Sequence, residues 1–484
     1  MDKNNNSTTS MKNTIKLGMA VLSIASLLGC QSSREKSSIE QVAVKSTGLP
    51  LLEVSDNKRY FVTEDKEPFF WLGDTGWLLL RKLDREETLA YLDDRQDKGY
   101  NIIQVMTLHS LDMSNAYGDS ALVNQNVGAP LLTEGHDFSD SEAYDFWDHV
   151  DFVIQSAQER GIYIAMVPVW GTNVKDGKVS VDQATIYAKF LADRYRDQPN
   201  VIWLNGGDTQ GDEYTEVWNA IGETLDQNDP NHLITFHPFG RMQSSDWFTE
   251  ASWMDFHMFQ SGHRRYDQDD TERAYGEDNW RYVEDDYAEA RIMPTLDGEP
   301  SYEGIPKGLH DPKEGFWQAE DARRYAYWAV FSGAAGHTYG HSAVMQMQGP
   351  EDDKVGAYGN TKLWTEAIND PGAIQMTYLK NLMMEFPYLE RVPDQSLIAN
   401  QGEKHDHLAA TRGDDYALIY TYTGRAIQVN MGLIKGEKVK ASWFDPRTGK
   451  KHPIGEFRAE GTEGFKPDGE VQDGNDWVLV LNYE

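Results

Sequence analysis

The 484-residue sequence has one cysteine, Cys30, so no disulfide can form within a single chain. It is also short of positive charge. Lys and Arg number 45 against 78 Asp and Glu, and the net charge of −33 would repel nucleic-acid phosphates. The acidic surplus names no substrate, because it also serves simply to keep an exported protein soluble. No Gly-x-Gly-x-x-Gly loop follows the first strand-like run, which argues against a doubly wound dinucleotide fold. No Gly-x-Ser-x-Gly elbow is present, which argues against a serine esterase. Histidines are plentiful in the middle of the chain. Without a His-x-x-x-His helix pair or a second cysteine they read as polar liners, and neither a metal nor another cofactor is expected.

Lys12 and Lys16 precede an apolar stretch, residues 17–29, that is too short to span a bilayer as a mature helix. It ends in Leu27-Leu28-Gly29-Cys30, which resembles a bacterial lipobox. Residues 1–30 therefore read as a lipoprotein signal peptide with Cys30 as the lipidated residue. Residues 31–47, rich in serine, read as a flexible tether. The expected location is periplasmic or cell-surface, held to a membrane by the N-terminal lipid alone.

Apolar strand-like runs then alternate with helical patterns. The candidate strands are 69–72, 102–107, 163–169, 201–204, 233–236, 253–258, 292–296 and 336–339. Asp84 with Glu87 three residues later is a capping-box start, and Gly99 is a suitable stop. Ser141 opens a second expected helix, with Trp147, Val150, Ile154 and Ala157 on one face, and a third runs from about Gln183 to Arg196. Eight continuous apolar strands interleaved with helices predict an α/β fold, a (β/α)8 TIM barrel, over residues 48–386. Beyond Pro387 the pattern changes to short alternating runs at 416–422, 426–431, 438–443 and 477–481, which predict a small antiparallel β-sandwich over 387–484.

Two of the strands end alike. Val201-Ile202-Trp203-Leu204-Asn205-Gly206-Gly207-Asp208 and Ile292-Met293-Pro294-Thr295-Leu296-Asp297-Gly298-Glu299-Pro300 are apolar runs that stop at glycine and present a carboxylate. In a barrel both acids reach one rim, and two carboxylates across a cleft are the apparatus of glycosidic bond cleavage. One acid must protonate the poor leaving group, and the other must meet the cationic anomeric carbon. Glycines before Asp208 let the backbone pack closely, and Pro300 stiffens the turn at Glu299. Asp297 and Glu303 flank Glu299 and compete with it for that role. The 14 Trp and 24 Tyr include rings suited to stacking on sugars.

Other residues map to the same rim as candidate substrate contacts. Asp74 and Trp77 follow strand 1, His109 strand 2, and Trp170 strand 3. Asn205 stands ready to orient the strand-4 acid or bind a sugar hydroxyl. His237, His257, Gln260 and His263 follow strands 5 and 6, Glu303 strand 7, and His337, Tyr339 and His341 mark strand 8.

The strand-4 and strand-7 placement resembles the large clan of retaining glycosidases, with one departure. That clan usually has Asn-Glu at strand 4, whereas here Asn205 stands three residues ahead of an Asp. Four motifs are closer to one family. They are Phe70-Trp71-Leu72-Gly73-Asp74-Thr75-Gly76-Trp77, Gly99-Tyr100-Asn101-Ile102-Ile103-Gln104, Trp203-Leu204-Asn205-Gly206-Gly207-Asp208 and Asp297-Gly298-Glu299-Pro300-Ser301-Tyr302-Glu303. Together they resemble glycoside hydrolase family 140, the apiosidase-like group, whose C-terminal domain carries a collagen-binding label. The resemblance covers roughly residues 49–484. It implies a barrel glycosidase with Asp208 as acid/base, Glu299 as nucleophile and β-linked apiose of pectin as substrate. A glycosidase acting on galactosidic or arabinosidic side chains, and a glycan- or collagen-binding surface lipoprotein without catalysis, are the alternative expectations.

Overall fold

The computed structural model describes residues 48–268 and 275–484. The signal peptide, Cys30 and the tether expected at 31–47 lie outside the described residues. Eight parallel strands build the barrel: β1 Trp71–Thr75, β2 Ile102–Met106, β3 Tyr163–Val167, β4 Val201–Thr209, β5 Ile234–Pro238, β6 His257–Gln260, β7 Thr295–Asp297 and β8 Gly336–Tyr339. Ladders run from β5 back through β1 to β8, β7 and β6. The ring closes between β5 and β6 by single contacts rather than a ladder. Asp255 N–H donates to Ile234 O at 2.9 Å, and Thr235 Oγ1 donates to Phe256 O at 2.6 Å. A short antiparallel strand, Met242–Gln243, covers the free edge of β6.

Helices cover the barrel where the sequence supplies caps. In α1, Arg85–Asp97, Asp84 accepts from Glu87 N–H and Glu87 accepts from Asp84 N–H, so both orphan amides are satisfied. Gly99, at φ +77, ends it. α2, Phe146–Gln158, starts later than expected. Its cap is Asp145, which accepts from Trp147 and Asp148 N–H, not Ser141. α3, Val181–Tyr195, starts at a Ser180–Gln183 capping box. α4 is Thr215–Asn228, α5 Trp280–Ala288, α6 Ala319–Phe331 and α7 Pro371–Met384.

Three strand starts differ from the sequence reading by two residues or more. Phe69 belongs to a small outer sheet with Leu52–Val54 and Phe61–Thr63, and the barrel strand begins at Trp71. Residues 253–256 and 292–294 are apolar but lead into β6 and β7 instead of forming them. Trp253 is buried against α4, whose Gly222 lies against its ring. Apolar content there reports core, not strand.

The C-terminal part is antiparallel β structure. A six-stranded sheet runs in the order Val392–Pro393, Leu408–Arg412, Tyr416–Thr421, Trp477–Tyr483, Lys438–Asp445, Lys450–Arg458, and a two-stranded sheet pairs Ile427–Asn430 with Thr462–Phe465. The period of two divides the large sheet's faces. Ala417, Ile419, Leu479 and Leu481 pack under the small sheet. Leu418, Tyr420, Val478 and Val480 share a core with Tyr327, Trp328 and Phe331 of α6. Across this junction Tyr327 stacks on Tyr420 at 4.8 Å, and Arg323 makes a buried bidentate pair with Asp476, both contacts at 2.7 Å. The β domain thus rests on the barrel through its own core face.

Candidate active site

β4 ends in an unusual turn. Gly206, Gly207 and Asp208 are consecutive left-handed residues at φ +88, +99 and +53, and the register with β5 breaks between Gly206 and Thr209. A side chain at Gly206 would sit 2.7 Å from His237 O, and one at Gly207 would sit 2.6 Å from the Trp170 ring. Only glycine permits both the backbone conformation and the approach. The turn brings the Asp208 carboxyl into a cavity of about 220 Å³ whose walls include Trp77, His109, Trp170, His263, Glu299, Tyr302 and Tyr358. Larger hollows, of about 540, 620 and 390 Å³, lie elsewhere on the surface. In the first, Asp151 pairs with Arg194 and Asp193 with Lys189, so those acids are already engaged.

The two acids of the small cavity differ in charge state. Burial, with the negative charge of Glu299 nearby, pushes the Asp208 carboxyl up to about 6, while Gln260 and the histidines oppose the rise. For Glu299 burial also acts upward, but hydrogen bonds from His237 and His263 outweigh it and hold the carboxyl down at about 2. His263 Nε2 lies 3.1 Å from Glu299 Oε1, and His237 Nε2 lies 3.4 Å from Oε2, a longer contact. Tyr302 N–H donates to His263 Nδ1 at 3.3 Å. That fixes the tautomer: Nδ1 is the acceptor, so the ring's hydrogen is on Nε2 and points at Glu299. Trp77 Nε1 donates to the Tyr302 hydroxyl at 3.1 Å, and that hydroxyl also supports Glu299. Trp77, Trp170 and His237 form one ring cluster with centroids 5.4 to 5.9 Å apart.

The structure therefore brings together Asp208, Glu299, Trp77, His109, Trp170, His237 and Gln260. Burial, aided by Arg81, lowers the His109 imidazole below its usual range. Four rim candidates are corrected. Asp74 is wholly buried and does not line the cavity, its Oδ2 taken by Arg95 Nε at 2.5 Å and the Tyr91 hydroxyl at 2.6 Å. Asn205 turns outward, donating to Trp218 O at 2.8 Å, while its Oδ1 accepts from Gly206 N–H at 3.0 Å. It holds the turn that carries Asp208 and does not touch the cavity. Glu303 accepts from the Tyr339 hydroxyl at 2.6 Å and from Gly372 N–H at 3.0 Å. His341 caps a short helix through Ala343 N–H and pairs with Asp370 at 2.9 Å. Glu303 and His341 thus tie β8 to α7. Asp297 is likewise engaged, by Ser261 Oγ at 2.6 Å and Asn279 Nδ2 at 3.1 Å, which leaves Glu299 as the acid of this segment that lines the cavity. His257 and His337 are buried in the barrel, and burial pushes their imidazoles down to about 4 and about 3.

Sequence reasoning missed Tyr302 and Tyr358. Tyr302 was within reach, because it lies three residues after Glu299 in a quoted motif. Tyr358 sits at φ +56 in a loop with no period to mark it.

One carboxyl that keeps its proton up to about pH 6 beside one that stays ionised is the pair that a general acid and its partner base or nucleophile require. At the C-terminal rim of a barrel this arrangement defines a glycoside hydrolase. Comparison with known proteins agrees. Residues 55–390 match the family described as "Apiosidase-like, catalytic domain", and the chain belongs to that family. Residues 392–482 match a family described as "Putative collagen-binding domain of a collagenase". A solved structure described as a glycoside hydrolase is 47% identical, with a TM-score of 0.84 over 90% of this chain and 97% of that one. A second, from Bacteroides vulgatus and described as a family 5 glycoside hydrolase, is 46% identical, with a TM-score of 0.84 over 90% and 95%. No curated protein matches the chain.

Proposed function

We propose that the chain is a retaining glycosidase that removes side-chain sugars from plant-type cell-wall polysaccharide, and that β-linked apiose of pectin is its substrate. The observation that carries the mechanism is the opposite displacement of Asp208 and Glu299 within one cavity. Asp208, protonated, delivers its proton to the leaving oxygen as Glu299 attacks the anomeric carbon. Asp208, now ionised, takes the proton from the water that releases the sugar. Glu299 is hydrogen-bonded, so its charge is held in place before the sugar arrives. Trp77 and Trp170 offer the apolar faces that a sugar ring stacks on.

The choice of apiose rests on the family description of residues 55–390. Incubation with a panel of plant and algal polysaccharides, followed by identification of the freed sugar, tests it. Release of apiose supports the reading, and release of galactose or arabinose alone replaces it with one of the other specificities. NMR of the first-formed product tests retention, since an inverted anomer contradicts a covalent intermediate. The Cys30 lipobox supports attachment of the exported enzyme to a membrane through its N-terminus.

A further inference from the structure

We propose that the C-terminal β domain is a positioning element of the active site, acting through the turn that holds Lys404 and His405. This rests on the reading of Glu299 as nucleophile. His263, whose Nε2 holds Glu299 at 3.1 Å, follows β6 directly. Three residues later the chain is tied down. The Tyr266 backbone lies beside the Glu277 carboxylate. The same carboxylate is held by Arg324 of α6 at 2.7 Å and by His405 Nε2 of the β domain at 3.1 Å. His405 is itself oriented by Asp473, which lies 2.9 Å from Nδ1.

The Tyr266 side chain is gripped from the same side. Its ring lies 5.8 Å from His405, Lys404 Nζ stands 5.0 Å over its face, and its hydroxyl donates to Asp278. Lys404 reaches that place from a left-handed backbone at φ +53, a conformation disfavoured for lysine unless its surroundings hold it. Three residues on, His407 stacks flat on Trp280 at 4.1 Å, so the turn also grips the start of α5.

His405 therefore meets both the Tyr266 ring and the Glu277 carboxylate, and three residues along the chain from Tyr266 stands His263, which reaches Glu299. A domain that only braced the barrel needs no contact here, because Tyr420 and Asp476 already secure the junction on α6. The geometry assigns His405 a second task, which is to fix the stretch from which His263 reaches the nucleophile. His405 is a positioning residue and touches no substrate.

The test uses the full chain carrying His405→Ala, His405→Gln or Asp476→Asn, assayed on the native glycan and on an activated aryl glycoside, with melting temperatures measured in parallel. Glutamine keeps an N–H for Glu277. Asp476→Asn weakens the junction far from His263. The expected result for His405→Ala is a kcat about 10-fold lower on both substrates with KM within about twofold, because misplacing a reacting group by a fraction of an ångström costs turnover rather than binding. His405→Gln should recover most of the loss. Asp476→Asn should lower the melting temperature at unchanged kcat. Wild-type kcat in His405→Ala overturns the proposal, as does an equal loss of kcat in His405→Ala and Asp476→Asn. Glu299→Gln, assayed alongside, keeps the two readings apart. If that variant stays active, it is the assignment of the nucleophile that fails.

Discussion

Asp208 and Glu299 line one cavity, yet their carboxyl groups are displaced in opposite directions, to about 6 and about 2. Burial acts upward on both. What separates them is their partners, because Glu299 has the histidine donors and Asp208 has the charge of Glu299. Two carboxyls driven apart in this way mark a proton donor and an ionised partner.

The pH–rate profile follows. Catalysis needs Asp208 protonated and Glu299 ionised. kcat/KM should fall as pH rises through about 6, where Asp208 loses its proton, and should hold at acid pH down to the limit of folding, because Glu299 stays ionised to about 2. In Glu299→Gln the repelling charge is gone, so the Asp208 titration, followed by NMR, should move below about 6. A profile that rises from pH 6 to 8 contradicts these assignments.

The buried carboxyls act on stability in the same direction. Burial pushes Asp208, Asp255 and Asp297 up to about 6 and Asp286 up to about 7. For an acid with a raised folded pKa, the native state binds more protons than the unfolded chain between the two pKa values. Its stabilising protonation is therefore present at the lower pH and lost as pH rises through the folded value. Buried His149, His257, His337 and His407, pushed down to between about 3 and about 4, act the other way, because there the unfolded chain binds more protons. The carboxyl contribution is therefore read from Asp286→Asn, whose stability relative to wild type should be lower near pH 5 than near pH 8. A relative stability that falls from pH 5 to pH 8 would be inconsistent with a raised Asp286 carboxyl.

Asp74 should matter for folding rather than for substrate. Asp74→Ala leaves the buried Arg95 with Asp94 as its one carboxylate partner, and breaking a buried pair costs about 3–5 kcal/mol. Chemical denaturation should show that loss. KM of any folded variant should stay near wild type. A large rise in KM at intact stability would return Asp74 to the substrate site.

Cys30→Ala should abolish partition of the expressed protein into the membrane fraction, since one thioether-linked lipid anchor is the attachment the lipobox implies. Equal membrane recovery for wild type and variant argues for another anchor.

The barrel was legible because its strands are buried on both faces and read as unbroken apolar runs, while Asp84 marks a helix start by local hydrogen bonding. Asp208 and Glu299 were legible because each ends such a run beside glycine. What failed was the step from position to direction. Asp74 lies within β1, and Glu303 and His341 follow barrel strands, but their side chains meet Arg95, Tyr339 and Asp370, partners far away in sequence. The strand Lys450–Arg458 escaped notice for a different reason. It is an exposed sheet edge, and polar side chains there give no apolar alternation to read.

The central claim is tested most directly by turnover in Asp208→Asn and Glu299→Gln, each on native glycan and on an activated aryl glycoside. Loss of proton transfer costs about 10²–10⁴-fold, but only where the leaving group needs the proton. Asp208→Asn should therefore fail on the glycan and retain much of its rate on the aryl glycoside. Glu299→Gln should be nearly inactive on both, because nothing replaces the nucleophile. Near-wild-type turnover of the glycan by either variant would contradict the account.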